Sequence, residues 1–209
     1  MEHQTKGRFL ALEGIDGSGK STQIRYLAER LQALGLPVYT TMEPTDGPIG
    51  SLVHQIMTGR IKTDNRAIAS LFAADRMDHL TNEVNGIKAK IDAGITVISD
   101  RYYFSSYAYH SVDLPMDWVI ASNAPCKEIL RPDATIFIDV DPEVSMQRIE
   151  AGRQHKELFE KKSRLIATRE NYLKAFEKQP DETVILVDGN LTPQELSDAI
   201  WEQVAHLFA

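Results

Sequence analysis

The segment Gly14-Ile15-Asp16-Gly17-Ser18-Gly19-Lys20-Ser21, followed by Thr22, fits the pattern G-x-x-x-x-G-K-[ST]. Glycines at these intervals let backbone N–H groups curl around phosphate oxygens. A helix opening at the last glycine adds positive potential at the same place. Lys20 is long enough to reach β- and γ-phosphates, and the Ser21 hydroxyl can ligate Mg²⁺. The residues therefore predict a loop, Gly14 to Thr22, that holds a nucleoside triphosphate. The plain alternative is a glycine-rich turn with an unrelated lysine. The apolar run before the loop and the helical spacing after it argue against that.

Three further segments carry suitable chemistry. In SDRYYFSSYAYH, Ser99 to His110, Asp100 ends an apolar run, where a carboxylate can orient Mg²⁺ or its water. Arg101 beside it can grip an acceptor phosphate bidentately, or the two can simply pair with each other. In LFAADRM, Leu71 to Met77, Phe72 and Arg76 share a helical face at i and i+4. The ring could stack on a base and the guanidinium donate to its carbonyls, although such a pair is ordinarily core plus solvated face. Arg148 to Lys156 is polar and cationic, interrupted by Gly152. It reads as a lid bringing arginine or lysine to the γ-phosphate, or as a solvated turn.

A GTPase carries an Asn-Lys-x-Asp segment after a strand, and this sequence has none. A large ATPase needs more chain. A small-molecule kinase needs an acceptor-phosphate pocket and a mobile cation over the transferred group, which these segments offer.

Positioning such residues takes a particular set of elements. Phe9–Glu13, Val38–Met42, Ile95–Ser99, Ala134–Val140 and Thr183–Asp188 read as five strands. Helices are predicted over Gly19–Leu34, Ile49–Met57, Ala67–Ala93, Tyr103–His110, Pro115–Ala124, Pro142–Glu150 and Glu157–Lys178. A last helix follows Thr192, with Pro193 at its first position and Glu195 completing a capping box. The strands are continuously apolar, so both sheet faces must be covered. The fold class is α/β: a doubly wound five-stranded parallel sheet flanked by helices, with ligands at the carboxyl ends of the strands and a short lid at about 150–157.

The chain has 209 residues, 43% of them apolar, and no Pro/Gly/Ser-rich linker, which predicts a single domain over 1–209. Its formal charge of −7 argues against a general nucleic-acid binder but leaves room for small anionic substrates at a local basic site. One cysteine, Cys126, cannot form an internal disulfide, which fits a reducing cytoplasm. No apolar run reaches the roughly 18 residues of a membrane span. The polar stretch Met1–Arg8 predicts no secretory leader.

The order of these motifs resembles thymidylate kinase. It runs from the phosphate loop to Glu43-Pro44, Phe72-x-x-x-Arg76, Asp100-Arg101-Tyr102 with Ser105 and Ala108-Tyr109, then Asp139-Val140-Asp141-Pro142, over nearly the whole chain. The resemblance implies transfer of the γ-phosphoryl group of ATP to dTMP, giving dTDP and ADP with Mg²⁺, by a homodimer. It implies Asp16 near the acceptor sugar and phosphate, Phe72 on thymine, Arg76 at a thymine carbonyl and Arg101 on the acceptor phosphate. It sets Ser105, Ser106 and Tyr109 around base and sugar, and suggests the helix from Ala67 to Ala93 as the dimer interface. Family members carry a catalytic arginine either in the phosphate loop or in the lid. Gly17 stands at the loop position here, so the lid should supply it: Arg153 first, then Arg148, then Lys156. Three positions near the family's acceptor pocket depart from its pattern: Met42 before Glu-Pro, His54 for an arginine, and His110 for a glutamine. A kinase for another pyrimidine monophosphate is the neighbouring reading. A catalytically weak nucleotide-binding scaffold is the reading from a different class.

Overall fold

The computed structural model describes residues 6–150 and 158–208, without the side chains of Glu150 and residues 158–161. Five parallel strands form one sheet: β1 (Phe9–Glu13), β2 (Val38–Met42), β3 (Thr96–Asp100), β4 (Ala134–Asp139) and β5 (Val184–Asp188), in the order β2-β3-β1-β4-β5. Nine α-helices are described: α1 (Lys20–Ala33), α2 (Pro48–Met57), α3 (Asn65–Thr81), α4 (Ile87–Asp92), α5 (Tyr103–His110), α6 (Met116–Ile129), α7 (Pro142–Glu150), α8 (Leu158–Lys178) and α9 (Pro193–Val204). None of the described helices is long and apolar enough to cross a membrane.

The alternation of side chains along each strand builds two cores. Phe9, Ala11, Val97 and Phe137 face one layer, packed with Tyr102, Tyr103, Phe104 and Tyr172. Leu10, Leu12, Ile98, Ile136 and Ile138 face the other, against α1 and α9. Every β1 residue is buried, and truncating one, such as Leu12→Ala, would cost about 2–5 kcal/mol. Register brings the carboxyl ends level: Leu12 of β1 and Met42 of β2 both pair with Asp100 of β3. The residues that follow β1, β2 and β3 therefore converge on one edge.

Two helix expectations are corrected. The long helix expected over Ala67–Ala93 is two, α3 and α4, separated at 82–86. Asn82 leaves the helix with ψ 124°, and its side-chain oxygen accepts from the Val84 and Asn85 N–H groups. This is an Asx turn, which satisfies the backbone locally. Val84, inside the span expected as helix, is 90% exposed. Conversely, α6 continues past Pro125 to Ile129. The buried stripe Val119, Asn123, Cys126 crosses the proline, so packing outweighs the one lost hydrogen bond. The final helix has its expected capping box, Thr192 with Glu195.

Candidate active site

The loop after β1 turns into α1 at Gly19, whose φ is +98°. The first turn of α1 has no side-chain cap and no acidic residue, which suits it to an anion. Gly17 has φ +76°, and a Cβ there would lie 2.8 Å from the Ser145 carbonyl oxygen. The loop therefore has no room for an arginine at this position. Lys20 Nζ donates to the carbonyls of Gly14 and Ile15, at 3.0 and 3.2 Å. Burial, and then Arg101, push its pKa down to about 8, against the opposing pull of Asp100, Asp16 and Glu13.

Ser21 Oγ donates to Asp100 Oδ2 at 3.1 Å, and Asp100 Oδ1 is buried without a hydrogen-bond partner. A hydroxyl and an under-used carboxylate oxygen suit a hard cation such as Mg²⁺. Among the described residues no cluster of three or more His, Cys, Asp or Glu surrounds this pair. Such a cation would take its other ligands from phosphate oxygens and water.

Arg101 follows β3 with φ +73°, in the left-handed region that non-glycine residues rarely occupy. It does not pair with Asp100. Its Nη2 donates to Asp16 Oδ1 at 2.5 Å and to the Tyr109 hydroxyl at 3.1 Å, with the guanidinium over the Tyr109 ring. Nη1 reaches the Gly14 carbonyl, Ser105 Oγ and the Tyr172 hydroxyl.

Two cavities meet at this arginine. One, of about 530 Å³, runs along Gly17, Lys20, Ser21 and Thr22. The other, of about 290 Å³, is lined by Pro44, Phe72, Arg76, Ser105, Ser106, Tyr109 and His110. Asp16, Glu43 and Arg101 line both. In the second cavity Phe72 and His110 meet edge to face, 4.9 Å between centroids. Burial, aided by Arg76, lowers the His110 pKa to about 4, with Asp113 opposing, so the ring is neutral.

Arg76 is 1% exposed. Its Nε donates to Glu43 Oε2 at 2.7 Å, Nη1 to Ser106 Oγ and Asn123 Oδ1, and Nη2 to the Tyr102 carbonyl. Four of its five N–H groups thus serve the protein, leaving one on Nη2 for a ligand. Glu43 is held from its other side by His79 Nδ1, at 3.1 Å, and His79 Nε2 lies 2.8 Å from Thr41 Oγ1.

The structure thus gathers Asp16, Lys20, Ser21, Asp100 and Arg101 on one side and the expected acceptor-pocket residues on the other. Ile15 contributes a buried side chain and Ser18 a buried hydroxyl. Arg148 lines the first cavity, donating to the carbonyls of Gly17, at 3.5 Å, and Gly189, at 3.0 Å. Arg153 and Lys156 lie outside the described residues. Met42 borders the first cavity, and His54 lies 4.0 Å from Asp46. Sequence reasoning missed Glu13, Asn123, His79 and Tyr172, none of which sits in a glycine-rich or charged motif.

A family profile described as thymidylate kinase matches residues 12–200. A protein of Thermococcus kodakarensis named "Probable thymidylate kinase" is 41% identical over 189 residues, covering 85% of this chain and 88% of its own. One of Methanococcoides burtonii with the same name is 42% identical over 188 residues, covering 87% and 88%. Another, of Methanosphaera stadtmanae, is 34% identical over 200 residues, covering 94% and 96%.

Proposed function

The chain belongs to the thymidylate kinase family, and from that premise we infer that it transfers the γ-phosphoryl group of ATP to dTMP, forming dTDP and ADP. The observation that carries the reading is the shared wall of the two cavities, Asp16, Glu43 and Arg101. A triphosphate along the loop and a monophosphate in the aromatic pocket would bring their phosphates together at Arg101.

In this reading an oxygen of the acceptor phosphate attacks the γ-phosphorus, and the bond to the β–γ bridging oxygen breaks. Lys20 and the N-terminus of α1 hold the donor phosphates. Arg101 holds the acceptor phosphate for in-line approach. Ser21 and Asp100 would hold Mg²⁺, which when bound neutralises charge on the β- and γ-oxygens. Phe72 offers its face to the base, and the remaining Arg76 N–H suits a carbonyl acceptor. The crowded Gly17 directs the search for a transition-state cation to the lid, with Arg153 as the first choice. Arg153→Ala should lower kcat by a factor of hundreds to thousands with little change in KM for dTMP. An unchanged kcat would remove that assignment.

The same reading takes the chain as one kinase domain acting as a homodimer in the cytoplasm, where a free, buried Cys126 is at home. The test is coupled ADP production from ATP and Mg²⁺ with dTMP, dUMP, UMP, dCMP, dGMP and AMP in turn. The highest kcat/KM should belong to dTMP. A higher value for another monophosphate would reassign the base, and no turnover with any would favour a nucleotide-binding scaffold.

A further inference from the structure

Glu13 and Tyr172 line neither of the two cavities, yet both are tied to Arg101. Glu13 ends β1 at 0% exposure. Its carboxylate accepts from the Tyr102 N–H at 2.8 Å, the Ser105 N–H at 3.1 Å, Ser105 Oγ at 2.5 Å and the Tyr172 hydroxyl at 2.8 Å. The Tyr172 hydroxyl and Ser105 Oγ are 2.8 Å apart, and both face Arg101 Nη1, at 3.4 and 3.1 Å.

Proton counting makes this arrangement directional. Each hydroxyl has one proton, and an ionised Glu13 takes both. The two hydroxyl oxygens are then left only as acceptors, and the donor they face is Arg101. The backbone is pinned as well. The Arg101 N–H donates to the Leu12 carbonyl at 2.9 Å, and the next N–H, that of Tyr102, donates to Glu13. The peptide N–H groups on both sides of the Arg101 Cα are therefore anchored to the end of β1.

We propose that Glu13 and Tyr172 are positioning residues for the reaction: Glu13 orders the hydroxyls of Ser105 and Tyr172 and the peptide after Arg101, so that the guanidinium is presented in one orientation to the acceptor phosphate. The inference rests on the reading of Arg101 as the acceptor-phosphate ligand. Glu13→Gln is an instructive change because it keeps the shape and reverses polarity at the position that accepts the two hydroxyls. The amide presents N–H donors where two hydroxyls donated, so the hydroxyl protons turn toward Arg101. Tyr172→Phe removes one acceptor facing Arg101 and one of the four donors to Glu13.

The experiment measures Kd by calorimetry for dTMP and for thymidine, which lacks the phosphate, with steady-state kinetics alongside. In the wild type dTMP should bind much more tightly than thymidine. Tyr172→Phe should weaken dTMP about tenfold, leave thymidine within about twofold, and leave KM for ATP unchanged. Glu13→Gln should show the same pattern with a larger loss. Unchanged dTMP affinity in Tyr172→Phe would overturn the proposal. An equal loss for thymidine would also overturn it, because the role would then be structural. Should Glu13→Gln fail to fold, Tyr172→Phe decides alone. If the wild type itself binds dTMP no better than thymidine, the Arg101 reading fails and takes the inference with it, at the wild-type arm rather than the variant arm.

Discussion

Lys20 offers a titration that reports directly on the phosphate loop. The protein's own groups hold its pKa at about 8, chiefly through burial. A triphosphate bound in the proposed loop would put negative charge beside the ammonium and raise that pKa. Nucleotide binding must therefore take up a proton wherever Lys20 is otherwise neutral. With a pKa of about 8 before binding and a fully protonated lysine in the complex, the uptake is about 0.1 proton at pH 7, about 0.5 at pH 8 and about 0.9 at pH 9. Affinity follows by linkage: Kd for MgATP should be nearly flat below pH 7.5 and rise toward tenfold per unit between pH 8.5 and 10. The fold has the opposite sign. A depressed lysine pKa means the unfolded chain binds more protons between about 8 and 10.5, so burying Lys20 destabilises the fold most below pH 8. That penalty is relieved as pH rises through the window. Calorimetry of MgATP binding at pH 9, in buffers of different ionisation enthalpy, gives the proton count. Lys20→Arg, charged throughout, should bring the uptake close to zero. Uptake below about 0.2 proton in the wild type at pH 9 would refute the depressed pKa. Equal uptake in Lys20→Arg would assign the proton to another group.

Arg76→Ala should destabilise the protein by about 3–5 kcal/mol, because it leaves the buried Glu43 carboxylate without its Nε partner. Thermal unfolding would show a drop of roughly 6–20 °C; a loss under about 1 kcal/mol would mean that Glu43 finds another donor. His110 should make the fold acid-sensitive. Its folded pKa of about 4 lies below the ordinary 6.5, so stability is full above 6.5 and falls by about 2 kcal/mol on going to pH 5. Urea unfolding at pH 7 and pH 5 should show this loss in the wild type, and His110→Gln should lack it. Ser21→Ala should raise the Mg²⁺ concentration needed for half-maximal turnover several-fold, with KM for dTMP nearly unchanged. A Mg²⁺ titration of the coupled assay reads it, and an unaltered curve would remove Ser21 as a ligand.

Much of this architecture was legible because it is written in local patterns. The five strands are short runs rich in apolar and β-branched residues, and three of their five ranges shift by no more than one residue at either end while β1 and β2 match in full. The phosphate loop has a spacing that few other structures require. The proposed acceptor pocket was partly legible, since Phe72, Arg76, Ser105, Ser106, Tyr109 and His110 lie on helix faces that share one cavity. The α3–α4 break has local signals in Asn82 and the Asn85-Gly86 pair, and Val84 between them is 90% exposed. Pro125 misled in the other direction. Its local cost is real, but the stripe beneath it continues.

What the sequence hid is the support behind the site, for a physical reason. A residue that touches phosphate sits in a glycine loop or beside a strand end, where sequence neighbours advertise it. A residue that orients such a group is chosen by partners far away in the chain. Glu13 is 92 residues from Ser105 and 159 from Tyr172, and Asn123 is 47 from Arg76. Read locally, Glu13 is the polar end of an apolar strand and Tyr172 one more core position on a long helix. Their meaning appears only when the parallel register brings β1 and β3 level, so that one buried carboxylate can satisfy a backbone turn and two hydroxyls together. Such a carboxylate costs several kcal/mol to bury unless every lone pair is met. Its four donors are therefore what allows it to exist at 0% exposure, and they also fix the geometry around Arg101. In this fold the condition for burying the charge and the condition for aiming the arginine are met by the same hydrogen bonds.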